Sequence, residues 1–307
     1  MTSKENIRAR QIWEELVAAL TPTDHEPTPD EMRAGYESWA MTNFPTPPEL
    51  RTEQVDADGV SCVWASMPGT SSERTIFYLH GGGYLVGSPT GYRGFAAALS
   101  QAADARVLLI DYRLAPENPH PAAVRDATTA YRWLVKEEAD PASTAVAGDS
   151  AGGGLALALL TALRDAGDRL PAAVVCLSPW VDMSLSAASI DSRAELDPIV
   201  SRGMLESMAG AYLMGQDPRT ASASPLFADL SNLPPTLVVV GTSEALLDDS
   251  TRLTDRARDA GVDVTLNIID GMYHVFPTMS SFLPEARQAV GDIGKFVLGH
   301  TSRPAVV

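Results

Sequence analysis

Three short runs constrain the fold more than anything else in the chain. Val107-Leu108-Leu109-Ile110, Ala173-Val174-Val175-Cys176-Leu177 and Leu237-Val238-Val239-Val240 are apolar without a break. A strand with one wet face alternates apolar and polar residues, whereas an uninterrupted apolar strand is covered on both faces, the condition inside a parallel sheet. Segments of helical spacing separate these runs. The pattern predicts strands at 60–65, 75–79, 106–111, 144–147, 173–177, 236–240 and 264–269, with helices at 92–103, 122–138, 151–166, 247–260 and 284–298. Strands alternating with helices in this way imply an α/β fold, an open and mostly parallel sheet with helices on both faces. Two further helices precede it, at 6–20 and from Pro29 to about 41, and a proline-rich linker covers 42–50. Residues 182–229 break the alternation. They are rich in Ser, Met and Ala, have a helical centre at 204–213, and are expected to lie as a lid over the C-terminal ends of the strands.

The strongest chemical signal is Gly148-Asp149-Ser150-Ala151-Gly152-Gly153, between a strand and an Ala/Leu helix. Gly-x-Ser-x-Gly in that setting places a serine at the apex of a strained turn, with glycines on either side where neighbouring backbone must pass. Ser150 then faces outward at the positive end of the following helix. The second signal is His80-Gly81-Gly82-Gly83-Tyr84, directly after a buried strand. Consecutive glycines can offer backbone N–H groups to an oxyanion, which acyl transfer requires. The spacing fits neither a dinucleotide-binding loop nor a P-loop.

A serine hydroxyl needs a base, and the base needs an orienting acid. Of the five histidines, His25 lies in a polar break, His120 sits between two prolines, His300 falls in a terminal segment expected to fray, and His80 belongs to the glycine loop. His274 follows the last strand on the same sheet edge as Ser150 and is the base candidate. The acid is expected after the penultimate strand, within Gly241-Thr242-Ser243-Glu244-Ala245-Leu246-Leu247-Asp248-Asp249. Glu244 is favoured over Asp248, which with Asp249 suits a helix N-terminus.

Other features have plainer readings. Arg113, within Asp111-Tyr112-Arg113-Leu114-Ala115-Pro116-Glu117, is expected to pair structurally with carboxylates. Met204, Met208 and Met214 either line a pocket or pack the lid. No metal-ligand spacing is present and the chemistry needs no cofactor. The charge balance of −16 disfavours nucleic acid and anionic membrane surfaces as partners. No apolar run reaches the roughly eighteen residues of a membrane span, and the N-terminus lacks the apolar stretch of a secretory signal. Cys62 and Cys176 read as buried thiols of a cytoplasmic protein.

These motifs, in this order, resemble the hormone-sensitive-lipase-like esterases, α/β-hydrolases with a helical cap. The resemblance runs from about residue 75 to the C-terminal helix. It implies one α/β-hydrolase domain over 1–307, a catalytic core at about 51–181 and 230–300, and a two-part cap at about 1–45 and 182–229. It implies Ser150 as nucleophile, His274 as base, and the N–H groups of Gly82, Gly83 and Ala151 as the oxyanion hole. The family usually carries Asp-Pro-Leu at the acid position, where this chain has Glu244-Ala245-Leu246. The expected pocket takes in Tyr84, Asp149, Met204, Met208, Tyr212 and Phe276. The expected activity is serine carboxylesterase on small-molecule short-chain acyl esters or small lactones. An amidase or N-acetyl hydrolase on the same triad is the alternative, and a non-catalytic ligand-binding receptor a more distant one. An edge strand or a cap face could pair two copies into a homodimer without any sequence motif.

Overall fold

The structure, a computed structural model, describes residues 3–21, 25 and 27–301. Two helices come first, α1 (Lys4–Leu20) and α2 (Pro29–Asn43), followed by the hairpin β1 (Arg51–Ala57) and β2 (Val60–Ser66). Then come β3 (Thr75–Leu79), α3 (Arg93–Ala103), β4 (Arg106–Ile110), α4 (Ala122–Glu137), β5 (Thr144–Asp149), α5 (Ala151–Ala166) and β6 (Ala173–Leu177). The chain continues with α6 (Ser189–Ser192), α7 (Arg202–Leu213), β7 (Thr236–Gly241), α8 (Leu247–Asp259), β8 (Val264–Ile269) and α9 (Pro284–His300).

The strands form one eight-stranded sheet in the order β1-β2-β4-β3-β5-β6-β7-β8. β1 pairs antiparallel with β2, and β2 antiparallel with β4. All pairings from β4 to β8 are parallel. The uninterrupted apolar strands are covered on both faces because alternate residues supply two separate cores. Leu108, Ile110, Val146, Val174, Cys176 and Val238 pack with α4, α5 and α8. Val107, Leu109, Ala145, Ala147, Val175 and Val239 point the other way, into a core shared with α1, α2, α3 and α9.

Sequence patterning does not anticipate β1. Its residues, Arg-Thr-Glu-Gln-Val-Asp-Ala, are mostly exposed, as suits a charged strand at a sheet edge. The signal that marks it is Asp58-Gly59, both at positive φ (54° and 91°), the turn chemistry of a two-residue hairpin. His300 closes α9 rather than lying in a frayed tail, and the next residue, Thr301, is buried where Arg74 donates to its hydroxyl at 2.7 Å. The rest of the expected frayed segment, 302–307, lies outside the described residues. Among the described residues no helix is long and apolar enough to cross a membrane.

The helices α3 and α9 approach closely enough that a Cβ at Gly294 would lie 2.1 Å from the backbone oxygen of Ala102. Gly294→Ala gains about 1 kcal/mol of helix propensity but forces two backbones apart, which costs about 1–3 kcal/mol. Chemical denaturation is expected to give a lower midpoint for this variant, with the slope unchanged.

Candidate active site

Parallel strands all end on the same edge, and the loops leaving four adjacent strands bring the candidate residues together. Ser150 follows β5, Ser178 follows β6, Glu244 follows β7 and His274 follows β8. The glycine loop, 80–83, leaves β3 on the other side of β5.

Ser150 is the single residue between β5 and α5, at φ 53° and ψ −122°. Such a conformation costs a non-glycine residue about 1–3 kcal/mol and persists only where the surroundings enforce it. Its N–H donates to the Leu177 carbonyl at 2.8 Å, and its own carbonyl accepts from the Trp180 N–H at 2.9 Å. The flanking glycines are required by space. A Cβ at Gly148 would lie 2.3 Å from the Gly152 oxygen, and one at Gly152 would lie 2.1 Å from the Leu79 oxygen.

His274 Nε2 lies 2.9 Å from Ser150 Oγ, and its Nδ1 lies 3.1 Å from Glu244 Oε2. Glu244 is fully buried, and its Oε1 accepts from the Gly241 N–H at 2.6 Å and the Ser178 hydroxyl at 2.9 Å. Ser178 Oγ in turn accepts from the Val275 N–H at 3.0 Å, joining the acid to the loop that carries the imidazole. Burial disfavours the His274 imidazolium, but the hydrogen bond and charge of Glu244, with the charges of Asp197 and Asp149, outweigh it and raise the pKa above the ordinary histidine value.

Asp248 does not reach the imidazole. It sits in the first turn of α8, and its carboxylate accepts from the Ser189 N–H at 2.8 Å. Asp249 accepts from the N–H groups of Val181 and Asp182 at 2.9 and 3.1 Å. The reading of both as helix N-terminal acids is therefore incomplete, because each also ties α8 to the start of the 182–229 segment. Asp197, unforeseen from sequence, adds a third tie by accepting from the Ala245 N–H at 2.8 Å, beside Glu244. Ser178 and Asp197 carry no motif; Ser178 is marked only by its place directly after β6, and Asp197, between α6 and α7, by nothing in the sequence.

His80 is not paired with any of these groups. Burial lowers its pKa to about 4, leaving it neutral, and its ring stacks on Tyr112 at 4.3 Å. Tyr112 also donates to the His80 carbonyl at 2.7 Å. Arg113 forms the expected ion pair, with Asp126 at 2.7 Å.

A cavity of about 60 Å³ lies over Ser150 and His274, with Gly82, Gly83 and Asp149 in its wall. Met204 and Met208 line it, and Met208 packs directly on Gly83. Tyr84, Tyr212 and Phe276 do not. Tyr84 and Tyr212, the latter on the buried face of α7, stack on each other at 3.8 Å inside the core, and Phe276 is buried in the core on the α9 side. The missed lining is aromatic and aliphatic: Trp13, Leu16 and Tyr36 from the N-terminal helices, and Trp180 from the loop after β6. Trp13 and Leu16 carry only a helical spacing, which a core residue shares, and Tyr36 and Trp180 carry no motif. Leu20, Ile199, Val200, Met204 and Met208 are shared with a larger outer cleft of about 510 Å³.

A serine bonded to an imidazole, itself held by a buried carboxylate beside a glycine loop, can carry out acyl transfer. Fold and site together define an α/β-hydrolase. Residues 76–278 match the family with the α/β-hydrolase fold. The chain is 46% identical over 230 residues to an acetyl-hydrolase of Streptomyces hygroscopicus, covering 75% of this chain and 77% of that protein. It is 36% identical over 227 residues to an esterase of Acinetobacter venetianus, covering 74% of this chain and 75% of that protein. The crystal structure of an esterase from the bacterial hormone-sensitive lipase family matches at a TM-score of 0.94 and 44% identity, over 98% of this chain and 100% of that one. The chain belongs to the α/β-hydrolase family, among its hormone-sensitive-lipase-like esterases.

The raised His274 pKa has a direct check. The neutral ring, the form that can accept a proton, is lost as pH falls through that raised value. Glu244→Gln removes the charge and leaves the burial, so the pKa should fall. NMR titration of the imidazole is expected to show the wild type above the ordinary histidine value and the variant below the wild type; an unchanged value would show that Glu244 does not set it.

Proposed function

We propose that this serine ester hydrolase acts on short-chain acyl esters or small lactones through an acyl-enzyme formed on Ser150. In this reading Ser150 Oγ attacks the carbonyl carbon while His274 Nε2 takes its proton. Glu244 holds the ring and stabilises the imidazolium. The N–H groups of Gly82, Gly83 and Ala151 receive the charge that develops on the carbonyl oxygen. His274 then gives its proton to the leaving alcohol. A water, deprotonated by the same ring, releases the acid and restores Ser150.

The observation that carries this reading is the unbroken hydrogen-bond chain Glu244–His274–Ser150 opening onto a small apolar cavity. With an ester the acyl group stays on Ser150 after the alcohol departs, and with a lactone the protonated alcohol stays attached to that acyl group; the inner cavity limits the size of the acyl part in both. At about 60 Å³ the space suits a few carbon atoms. The outer cleft is the way out for the alcohol. Within the same proposal, α1, α2 and residues 182–229 form a two-part cap over the core, supported by the cavity walls they supply. A cytoplasmic location is also proposed. It is supported by Cys62 and Cys176, both buried free thiols.

Hydrolysis of p-nitrophenyl esters from acetate to laurate tests the proposal. Turnover is expected to peak at short chains, to vanish in Ser150→Ala, and to exceed turnover of a matched anilide. Glu244→Gln is expected to lower kcat by about 10³–10⁴, and Asp248→Asn by no more than a few-fold. Equal activity of wild type and Ser150→Ala would overturn the serine mechanism, and a laurate optimum would overturn the size limit.

A further inference from the structure

Helix α2 runs along the outside of the glycine loop and is stitched to its continuation by one face. Arg33 Nε donates to the Leu85 carbonyl at 3.1 Å. Glu37 accepts from the Ser88 hydroxyl at 3.0 Å. Gly91 packs against Ala40, close enough that a Cβ there would lie 3.2 Å from the Ala40 Cβ. These positions recur at three- and four-residue intervals, so they share one side of the helix. The segment they hold is tied back to the loop itself, because the N–H groups of Leu85 and Val86 both donate to the Gly82 carbonyl at 3.0 Å.

On the same side of α2 lies Tyr36. Its hydroxyl lies 3.0 Å from the Tyr92 hydroxyl. Tyr92 has one proton and gives it to Asp149 Oδ2 at 2.8 Å, so Tyr36 is the donor to Tyr92. The Tyr92 oxygen also accepts from the Gly81 N–H at 3.0 Å, and the same N–H lies 2.9 Å from Asp149 Oδ1. Asp149 Oδ1 is completed by the Tyr78 hydroxyl at 2.7 Å. All four side chains are buried. Burial pushes the tyrosyl hydroxyls up, so each keeps the proton this donor order requires. The network joins an N-terminal helix, the residue before Ser150 and the residue before Gly82.

We infer that Tyr36 is a positioning residue for oxyanion binding, acting through Tyr92 on Gly81 and so on the amides of Gly82 and Gly83. The inference rests on the proposed role of those amides. Oxyanion stabilisation is felt in the transition state, where the charge appears, and much less in the bound substrate. Tyr36 also borders the cavity, so a residue that merely lined the wall would act on KM instead.

The test uses p-nitrophenyl acetate kinetics on the full chain with Tyr36→Phe, Tyr92→Phe and the double variant, each first shown by thermal unfolding to be folded. It adds the inhibition constant of a trifluoromethyl ketone, whose carbonyl carbon takes the Ser150 oxygen reversibly and leaves an anionic oxygen in the same place. Losing one oxyanion donor outright costs about 10²–10³-fold; a loosened loop is expected to cost about ten-fold in kcat for Tyr36→Phe, with KM within about two-fold. The ketone should weaken by the same factor. If Tyr36 works through Tyr92, the double variant is no slower than Tyr92→Phe alone. A raised KM with kcat intact, or single effects that multiply, would overturn the inference. Turnover persisting in Ser150→Ala would instead overturn the serine mechanism beneath it, so the two failures are told apart.

Discussion

Everything at the active edge depends on how sharply the chain reverses at Ser150. One residue separates a fully buried strand from a buried helix, and it is held at positive φ by hydrogen bonds to the last residue of β6 and to the loop after it. The backbone packs so tightly around it that Gly148 and Gly152 have no room for a Cβ. Because the turn is enforced from outside, the hydroxyl is presented in one direction and the helix N-terminus lies behind it. An imidazole from the loop after β8 and a glycine loop from β3 can then be placed on opposite sides of it.

The acid is placed by a different device. Glu244 is buried in a loop with little regular structure of its own, and hydrogen bonds supply the rigidity. Gly241 and Ser178 hold the carboxylate. Asp197, Asp248 and Asp249 pin the residues around it to the 182–200 segment. The segment that supplies Ile199 and Val200 to the cavity wall is thus fastened to the loop that carries Glu244. A buried carboxylate without such partners would be costly; with them it raises the affinity of His274 for a proton. The glutamate that replaces the usual aspartate brings its carboxylate to the ring from within this bonded loop.

Legibility from sequence followed the strength of local signals. Strands buried on both faces and long amphipathic helices announce themselves by pattern, and their positions in the structure differ from the expected ones by only a few residues at the ends. The edge strand β1 did not, because a strand exposed to water has no apolar pattern to read. Ser150 and the glycine loop carry steric requirements that only certain residues meet. Ser178 and Asp197 carry none, since any serine or aspartate has the same local appearance, and their importance comes from residues far away in the chain. The pocket is the least legible part: Tyr84, beside the glycine loop, and Tyr212, on α7, turn inward, while Trp13 and Tyr36 lie more than a hundred residues from Ser150 and line the same cavity.

The sequence by itself determined the α/β architecture and the order of its main elements, along with the serine turn, the glycine loop and the identity of the imidazole. The physical reason is that these follow from periodicity and from backbone geometry permitted to few residues. Only the tertiary structure shows which of Glu244 and Asp248 meets the imidazole: one carboxylate points at the ring and the other at a neighbouring backbone amide. It alone decided the walls of the cavity and the hydrogen-bonded path from α2 to the glycine loop. Those depend on distances between segments remote in the chain, which no local pattern encodes.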